Sequence, residues 1–195
     1  MPKNAKLTPV PPRPEKPILF YGTSITQGGC ASRPGMAFTN ILGRRLDRPM
    51  LNFGFSGNGR MEVEVAKFLA ELDPAIFVLD CLANMGQVPV VERTKAVVNL
   101  LREKHADTPI LILEEREWAD AALLPARAKS HTDRCRELRQ AFDELVAAEL
   151  KNLHYRTGDD VIGTDGEATV DGSHPTDLGM VRYADALEPD LRKLL

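Results

Sequence analysis

The chain has 195 residues, of which 43% are hydrophobic and 27% are charged, and its formal net charge is −3. This length suits one domain with a substantial buried core. A charge so close to neutrality gives no indication of a nucleic-acid or membrane partner, and no apolar run is long enough to span a membrane. The three cysteines, Cys30, Cys81 and Cys135, are too few and too widely spaced to predict a disulfide framework or a zinc site.

The N-terminal region differs from the rest in composition. Residues 1–17 hold six of the 14 prolines, which is typical of an extended arm or linker. Residues 18–195 are predicted to form one catalytic domain. The N-terminus lacks an apolar signal core, so a cytoplasmic location is the default expectation unless a leader has been removed.

From residue 18 onward, strand patterns alternate with helix patterns. The predicted strands cover 18–22, 50–53, 75–80, 109–114 and 153–156, and the predicted helices cover 36–46, 60–71, 90–105, 130–150 and 176–194. This alternation predicts an α/β fold, a three-layer sandwich with a five-stranded parallel sheet. The expected strand order is the flavodoxin-like 2-1-3-4-5. The polar residues 130–133 are expected to begin the fourth helix.

The first strand ends in a turn that presents a serine. Gly22 and Thr23 lead directly to Ser24, whose hydroxyl would be held clear of the sheet, as a nucleophile requires. The alternative is an ordinary turn without catalytic function, because glycine, serine and threonine are common in turns. A catalytic interpretation therefore needs a base, an acid and oxyanion donors from elsewhere in the chain.

Candidates for the base and the acid lie near the C-terminus. Asp171 and His174 are three residues apart in a loop that precedes a helical pattern. On a tight turn the carboxylate can reach Nδ1 of the imidazole, which leaves Nε2 free to take a proton from Ser24. The alternative is a loop turn followed by an ordinary surface histidine.

Candidates for the oxyanion donors follow the second and third strands. Gly57 lies in a glycine-rich turn and Asn84 lies in a loop. A glycine lets substrate approach a backbone N–H closely, and an asparagine amide donates without losing a proton. Alternatively, Gly57 only makes a turn and Asn84 is a polar loop residue. Ligands bind at the carboxyl ends of strands in open α/β sheets, so all these side chains are expected at one edge.

The ordered set of Ser24, Gly57, Asn84, Asp171 and His174 resembles the SGNH hydrolases, also called GDSL-type esterases or acylhydrolases. The resemblance implies that Ser24 is the nucleophile, with Asp171 and His174 completing a catalytic triad. It implies an oxyanion hole formed by the N–H groups of Ser24 and Gly57 and by the amide of Asn84. It also suggests acetylated carbohydrate as the substrate class.

The sequence departs from the usual family pattern in two places. Thr23 replaces the common aspartate before the serine, and residues 81–85 replace the common Gly-x-Asn-Asp block. Residues 28–35 and 54–62 are similar to one branch of the family, whose members often carry an additional N-terminal β-sandwich domain. That domain is absent from this sequence, so the chain is expected to be a single-domain member or an excised catalytic domain.

Four functions remain open on the sequence alone. The first is a serine esterase that hydrolyses short O-acyl esters of small molecules or acetylated carbohydrates. The second is an acyltransferase, in which the same acyl-enzyme passes its acyl group to an alcohol. The third is a non-catalytic flavodoxin-like binding module, and the fourth is a scaffold that has kept the fold without the activity. No cofactor or metal site is expected, and the oligomeric state is not predicted.

Overall fold

The structure is a computed structural model that describes residues 5–6 and 8–195. Its centre is a parallel sheet of five strands in the order β2-β1-β3-β4-β5. The strands are β1 (Ile18–Gly22), β2 (Met50–Gly54), β3 (Ile76–Asp80), β4 (Ile110–Leu113) and β5 (Leu153–Arg156). The predicted α/β fold, the strand number and the strand order are therefore confirmed.

Helices cover both faces of this sheet. They are α1 (Ser24–Gln27), α2 (Phe38–Leu46), α3 (Val63–Leu69), α4 (Val90–Lys104), α5 (Pro125–Ala147) and α6 (Asp177–Leu194). One hydrophobic cluster packs α2 and α6 against the sheet, and a second packs α3, α4 and α5 against the opposite face. The short α1 has no counterpart in the sequence-based prediction, since four residues are too few for helical periodicity.

The central strands are apolar on both faces. Ile18 and Phe20 belong to the cluster with α2 and α6, whereas Leu19 and Tyr21 belong to the other cluster. All four are fully buried. Successive side chains of a strand point to opposite faces, and a parallel sheet covered by helices on both sides buries both sets.

The largest error in the predicted boundaries is at the start of α5. The fourth predicted helix was expected to begin at residues 130–133, but α5 begins at Pro125. Proline is favoured in the first turn, where its missing N–H costs no intrahelical hydrogen bond. His131 consequently lies inside α5, where its Nε2 is 2.8 Å from the carbonyl oxygen of Glu115.

The predicted arm falls partly on residues 1–4 and 7, which lie outside the described residues. Residues 8–17 form neither helix nor strand. Arg13 is 3.0 Å from a carboxylate oxygen of Asp47, and Lys16 is 2.7 Å from one of Asp73. The division into an arm and one domain stays a prediction. Among the described residues, no helix has the length and apolarity needed to cross a membrane.

Candidate active site

The nucleophile candidate is the first residue of α1, which begins directly after β1. The Thr23 side chain caps α1 by accepting a backbone N–H at 3.2 Å. A Cβ atom on Gly22 would lie 2.0 Å from the Thr26 hydroxyl oxygen and 2.7 Å from the carbonyl oxygen of Asp80. Only glycine therefore lets α1 approach the end of the strand this closely, and this approach fixes where Ser24 is presented.

Ser24, His174 and Asp171 form a continuous chain of hydrogen bonds. The Ser24 Oγ atom is 2.8 Å from His174 Nε2, and His174 Nδ1 is 2.8 Å from Asp171 Oδ2. An ionised carboxylate only accepts hydrogen bonds, so it holds the proton on Nδ1. Nε2 is then the acceptor that faces the serine hydroxyl. The structure thus brings together three of the predicted site residues.

A tight turn holds the acid in place. Asp171 Oδ1 accepts hydrogen bonds from the N–H groups of Ser173 at 2.9 Å and His174 at 2.7 Å. The N–H of Val170 donates to the carbonyl oxygen of His174 at 2.9 Å and closes the loop. Partial burial raises the pKa of Asp171, but these bonds and the His174 ring outweigh it and lower the pKa to about 2. The carboxylate is therefore ionised at neutral pH.

The two predicted oxyanion donors lie on adjacent loops. Asn84 Nδ2 donates to the carbonyl oxygen of Asn58 at 2.6 Å, which places this amide beside the residue that follows Gly57. The N–H of Phe55 donates to the carbonyl oxygen of Gly22 at 3.0 Å, so the same loop also reaches the end of β1. Gly57 has a φ of +69°, and nothing lies within 4 Å of a Cβ atom built on it. Its backbone is therefore open to an approaching molecule.

Two charged residues that follow β4 are buried near this edge. Glu115 and Arg116 have 3% and 1% exposed surface. Glu115 accepts from Trp118 Nε1 at 2.6 Å and from Arg134 at 2.5 Å. Arg116 donates to the carbonyl oxygen of Ser173, inside the turn that carries the acid and the base.

Asp80, the last residue of β3, was not among the residues predicted from the sequence. Its carboxylate is buried and accepts from the hydroxyls of Thr26 at 2.6 Å and Tyr183 at 3.3 Å. A charged residue that ends an apolar strand was the available signal. Burial raises its pKa to about 6, although the two hydroxyl donors and Arg116 oppose the shift.

This raised pKa predicts an unusual dependence of stability on pH. The folded state holds a proton on Asp80 up to about pH 6, whereas the unfolded chain releases it near pH 4. Because the folded state binds more protons in this window, Asp80 lowers the free energy of unfolding as pH rises from about 4 to about 6, by about 3 kcal/mol.

Urea denaturation of the wild type and of Asp80→Asn across this window measures the effect. The difference between them cancels contributions from other groups. Wild type is expected to lose stability relative to the variant as pH rises. A constant difference would contradict the assignment.

Two of the three cysteines are poorly suited to act as a nucleophile. Cys81 is buried, and burial raises the pKa of its thiol. Cys135 is half-buried in α5, where burial is the main cause that raises its pKa to about 12. Across the part of the chain that the structure describes, no group of three or more His, Cys, Asp or Glu side chains is arranged to hold a metal ion.

The chain has an α/β fold with a serine, a histidine and an aspartate hydrogen-bonded at one edge of its parallel sheet, and comparison with known proteins identifies the family. A family model described as GDSL-like lipase/acylhydrolase matches residues 15–192. The chain therefore belongs to the GDSL-like lipase/acylhydrolase family, and the resemblance seen in the sequence is confirmed. A search of curated proteins gives no match.

Several solved structures share the fold of this chain. A protein from Bacteroides ovatus described as a GDSL-like lipase is 37% identical, with a TM-score of 0.88 over 92% of this chain and 53% of its own. A salicylyl-acyltransferase from a tetracycline biosynthetic pathway is 20% identical, with a TM-score of 0.79 over 92% of this chain and 55% of its own. The chain thus spans about half the length of both proteins.

A third structure has nearly the same length as this chain. It is a carbohydrate acetylesterase family member from Sinorhizobium meliloti, 20% identical, with a TM-score of 0.71 over 92% of this chain and 99% of its own. At 20% identity, the S. meliloti protein and the acyltransferase show only that they share the fold of this chain.

Proposed function

We propose that this protein is a serine esterase that hydrolyses short O-acyl esters through an acyl-Ser24 intermediate. One observation carries the proposal: two 2.8 Å contacts link Ser24 Oγ, the His174 ring and the Asp171 carboxylate in the order that nucleophilic catalysis needs. Membership of an acylhydrolase family supports the same chemistry.

In the first half of the reaction, Ser24 Oγ attacks the ester carbonyl while His174 Nε2 takes the hydroxyl proton. Asp171 stabilises the resulting imidazolium without becoming protonated, which its lowered pKa of about 2 favours. The tetrahedral intermediate collapses, and His174 gives its proton to the departing alcohol. The Ser24 ester remains.

In the second half, His174 removes a proton from water, which attacks the acyl-Ser24 carbonyl. Collapse releases the carboxylic acid and returns the proton to Ser24. In both halves, negative charge develops on the former carbonyl oxygen, and we assign its stabilisation to the N–H groups of Ser24 and Gly57 and to the Asn84 amide. Fixed donors of this kind stabilise the transition state more than the ground state.

The oxyanion assignment predicts that Asn84→Ala lowers kcat by about 10²–10³-fold with little change in KM, because the lost donor acts mainly in the transition state. Steady-state kinetics on an activated ester measure both constants. Asn58→Ala is the matched control, since it removes an amide from the adjacent loop but keeps the carbonyl oxygen that Asn84 contacts. Unchanged kcat with a raised KM for Asn84→Ala would instead assign it to substrate positioning.

The acyl group is proposed to be short, with acetyl preferred and with acetylated carbohydrate as the substrate class. The loop that follows α1 is rich in glycine, and a Cβ atom on Gly29 would lie 3.6 Å from Ser24 Cβ and 3.7 Å from His174 Cδ2. Small residues therefore border the nucleophile. The carbohydrate acetylesterase family member from S. meliloti shares the fold.

A series of p-nitrophenyl esters tests the acyl length. We expect kcat/KM to fall from acetyl to butyryl and further to octanoyl. An apolar groove would add about 0.8 kcal/mol for each methylene group buried, so a maximum at eight carbons or more would reject the short-acyl proposal. Acetylated xylo-oligosaccharides are the next substrates, and inactivity on all of them would remove the carbohydrate part alone.

Two further measurements separate the alternatives. Ester turnover in the presence of an added alcohol distinguishes hydrolysis from acyl transfer, because a transferase forms the new ester in preference to the free acid. A flavin-binding module would be yellow, so the visible absorbance of the purified protein tests that function directly.

A further inference from the structure

Two buried charged side chains contact the elements that carry Ser24 and His174. Asp80 ends β3 and Arg116 follows β4, and they are 7% and 1% exposed. Neither takes part in the proton transfers described above. Burying a charge costs free energy unless the charge is paired and hydrogen-bonded. The contacts of Asp80 and Arg116 therefore indicate which elements the two side chains stabilise.

Asp80 holds the nucleophile helix α1. Its Oδ2 atom accepts from the Thr26 hydroxyl at 2.6 Å, and Thr26 lies two residues after Ser24 in the single turn of α1. Its Oδ1 atom accepts from the Tyr183 hydroxyl at 3.3 Å, which belongs to α6. The carboxylate therefore links α1 to the long helix α6 through two hydrogen bonds.

Arg116 holds the loop 171–174, called here the histidine loop. Its guanidinium donates to the carbonyl oxygen of Ser173, the residue before His174, and to that of Glu117 at 3.2 Å. Within residues 5–6 and 8–195, its Nε atom has no hydrogen-bond partner. Four other arginines of the described residues share this feature, Arg102 among them, so the contact with the histidine loop is what distinguishes Arg116.

Asp80 is one of several groups near Arg116. Burial lowers the pKa of Arg116, and the neighbouring Tyr183, Glu115, Asp80 and Asp171 oppose that shift. One side chain of the pair thus contacts the element that carries the nucleophile, and the other contacts the element that carries the base.

We propose that Asp80 and Arg116 are positioning residues: together they set the distance and angle between Ser24 on α1 and His174 on the histidine loop. The proposal rests on the proposed function for its kinetic consequence, but the geometry it describes can be measured without a substrate. A displacement of about 1 Å at a reacting group can cost 10²-fold in rate, so the pair would act on kcat.

Arg116→Met tests the proposal, because methionine fills similar space without charge or donors. We expect kcat to fall about 10–100-fold while KM stays within about threefold, since substrate binding is untouched. Arg102→Met is the matched control. Arg102 is partly buried and donates to the backbone carbonyls of residues 105, 108, 151 and 152, just before β4 and β5 begin and therefore at the sheet edge opposite the triad. Its loss should lower stability and leave kcat unchanged.

Proton NMR of the substrate-free protein supplies a second readout. The His174 Nδ1 proton in the hydrogen bond to Asp171 should give a far-downfield resonance in wild type and in Arg102→Met. It should shift or broaden in Arg116→Met. This signal does not depend on turnover, so if wild type hydrolysed no ester, the proposed function would fail while the positioning of His174 could still be judged.

Asp80→Asn keeps an oxygen that can accept a hydrogen bond from Thr26 but removes the charge. This variant is used for the kinetic measurement if Arg116→Met does not fold. It should also lower kcat, and the double variant should lose less than the product of the two single losses, because interacting residues are not additive. Wild-type kcat in Asp80→Asn, multiplicative losses in the double variant, or an equal kcat loss in Arg102→Met would each overturn the proposal.

Discussion

Replacing Ser24 with alanine is expected to lower kcat for ester hydrolysis by about 10³-fold or more. The reason is that His174 Nε2, 2.8 Å from Ser24 Oγ, would have no hydroxyl to deprotonate. The fold should be unaffected, because Thr23 rather than Ser24 supplies the side-chain cap of α1. Steady-state kinetics and a urea titration of the same preparation measure activity and stability together.

Ser56→Ala is the control for this variant. Ser56 is exposed on the loop after β2, at the same edge of the sheet, so its loss removes a hydroxyl from the neighbourhood without touching the triad. Near wild-type turnover by Ser24→Ala would disprove the serine mechanism. An equal loss in both variants would show that the edge is sensitive to any change, and would leave Ser24 without a special role.

Asp171→Asn is expected to keep the fold and to lower kcat by about 10⁴-fold. In the wild type, the N–H groups of Ser173 and His174 donate hydrogen bonds to Asp171 Oδ1. The asparagine oxygen can still accept both. Its amide nitrogen would face His174 Nδ1, which must then accept instead of donate. The proton moves to Nε2, and the ring can no longer take a proton from Ser24.

Asp165→Asn controls for the loss of an acidic side chain. The pKa of Asp165 is also lowered to about 2, chiefly by hydrogen bonds from Arg182, but this aspartate is paired outside the triad. We expect wild-type kcat in Asp165→Asn. If Asp171→Asn retained kcat within about tenfold of wild type, the acid of the triad would have to be sought elsewhere.

The sheet could be predicted from sequence because its signals are local and repeated. The apolar stretch 18–22 predicted β1 to the residue, and the structure has the same bounds. The predicted start of α5 is wrong because the polar residues 130–133 resemble a helix cap, whereas the helix begins earlier, at Pro125. Such choices depend on packing against neighbouring elements, which the sequence of one segment does not contain.

The site residues also differ in whether a local sequence pattern or a long-range contact reveals them. Asp171 and His174 share a short turn and follow a recognisable spacing, so the sequence indicated them, and fold topology indicated that they would face Ser24. Asp80 and Arg116 carry no such pattern. Their importance arises from long-range contacts, to Thr26 and Ser173 respectively, and burial of a charged residue is not visible until the fold is assembled.

The most direct test of the central claim is covalent labelling of the nucleophile. The wild-type protein is treated with a fluorophosphonate, digested, and mapped by tandem mass spectrometry, with Ser24→Ala and Ser56→Ala treated alongside. The serine mechanism predicts one adduct on Ser24 in wild type and in Ser56→Ala, loss of ester hydrolysis in proportion to labelling, and no adduct in Ser24→Ala. An adduct on another residue, or full hydrolysis by a protein that the probe has fully labelled at Ser24, would contradict the assignment.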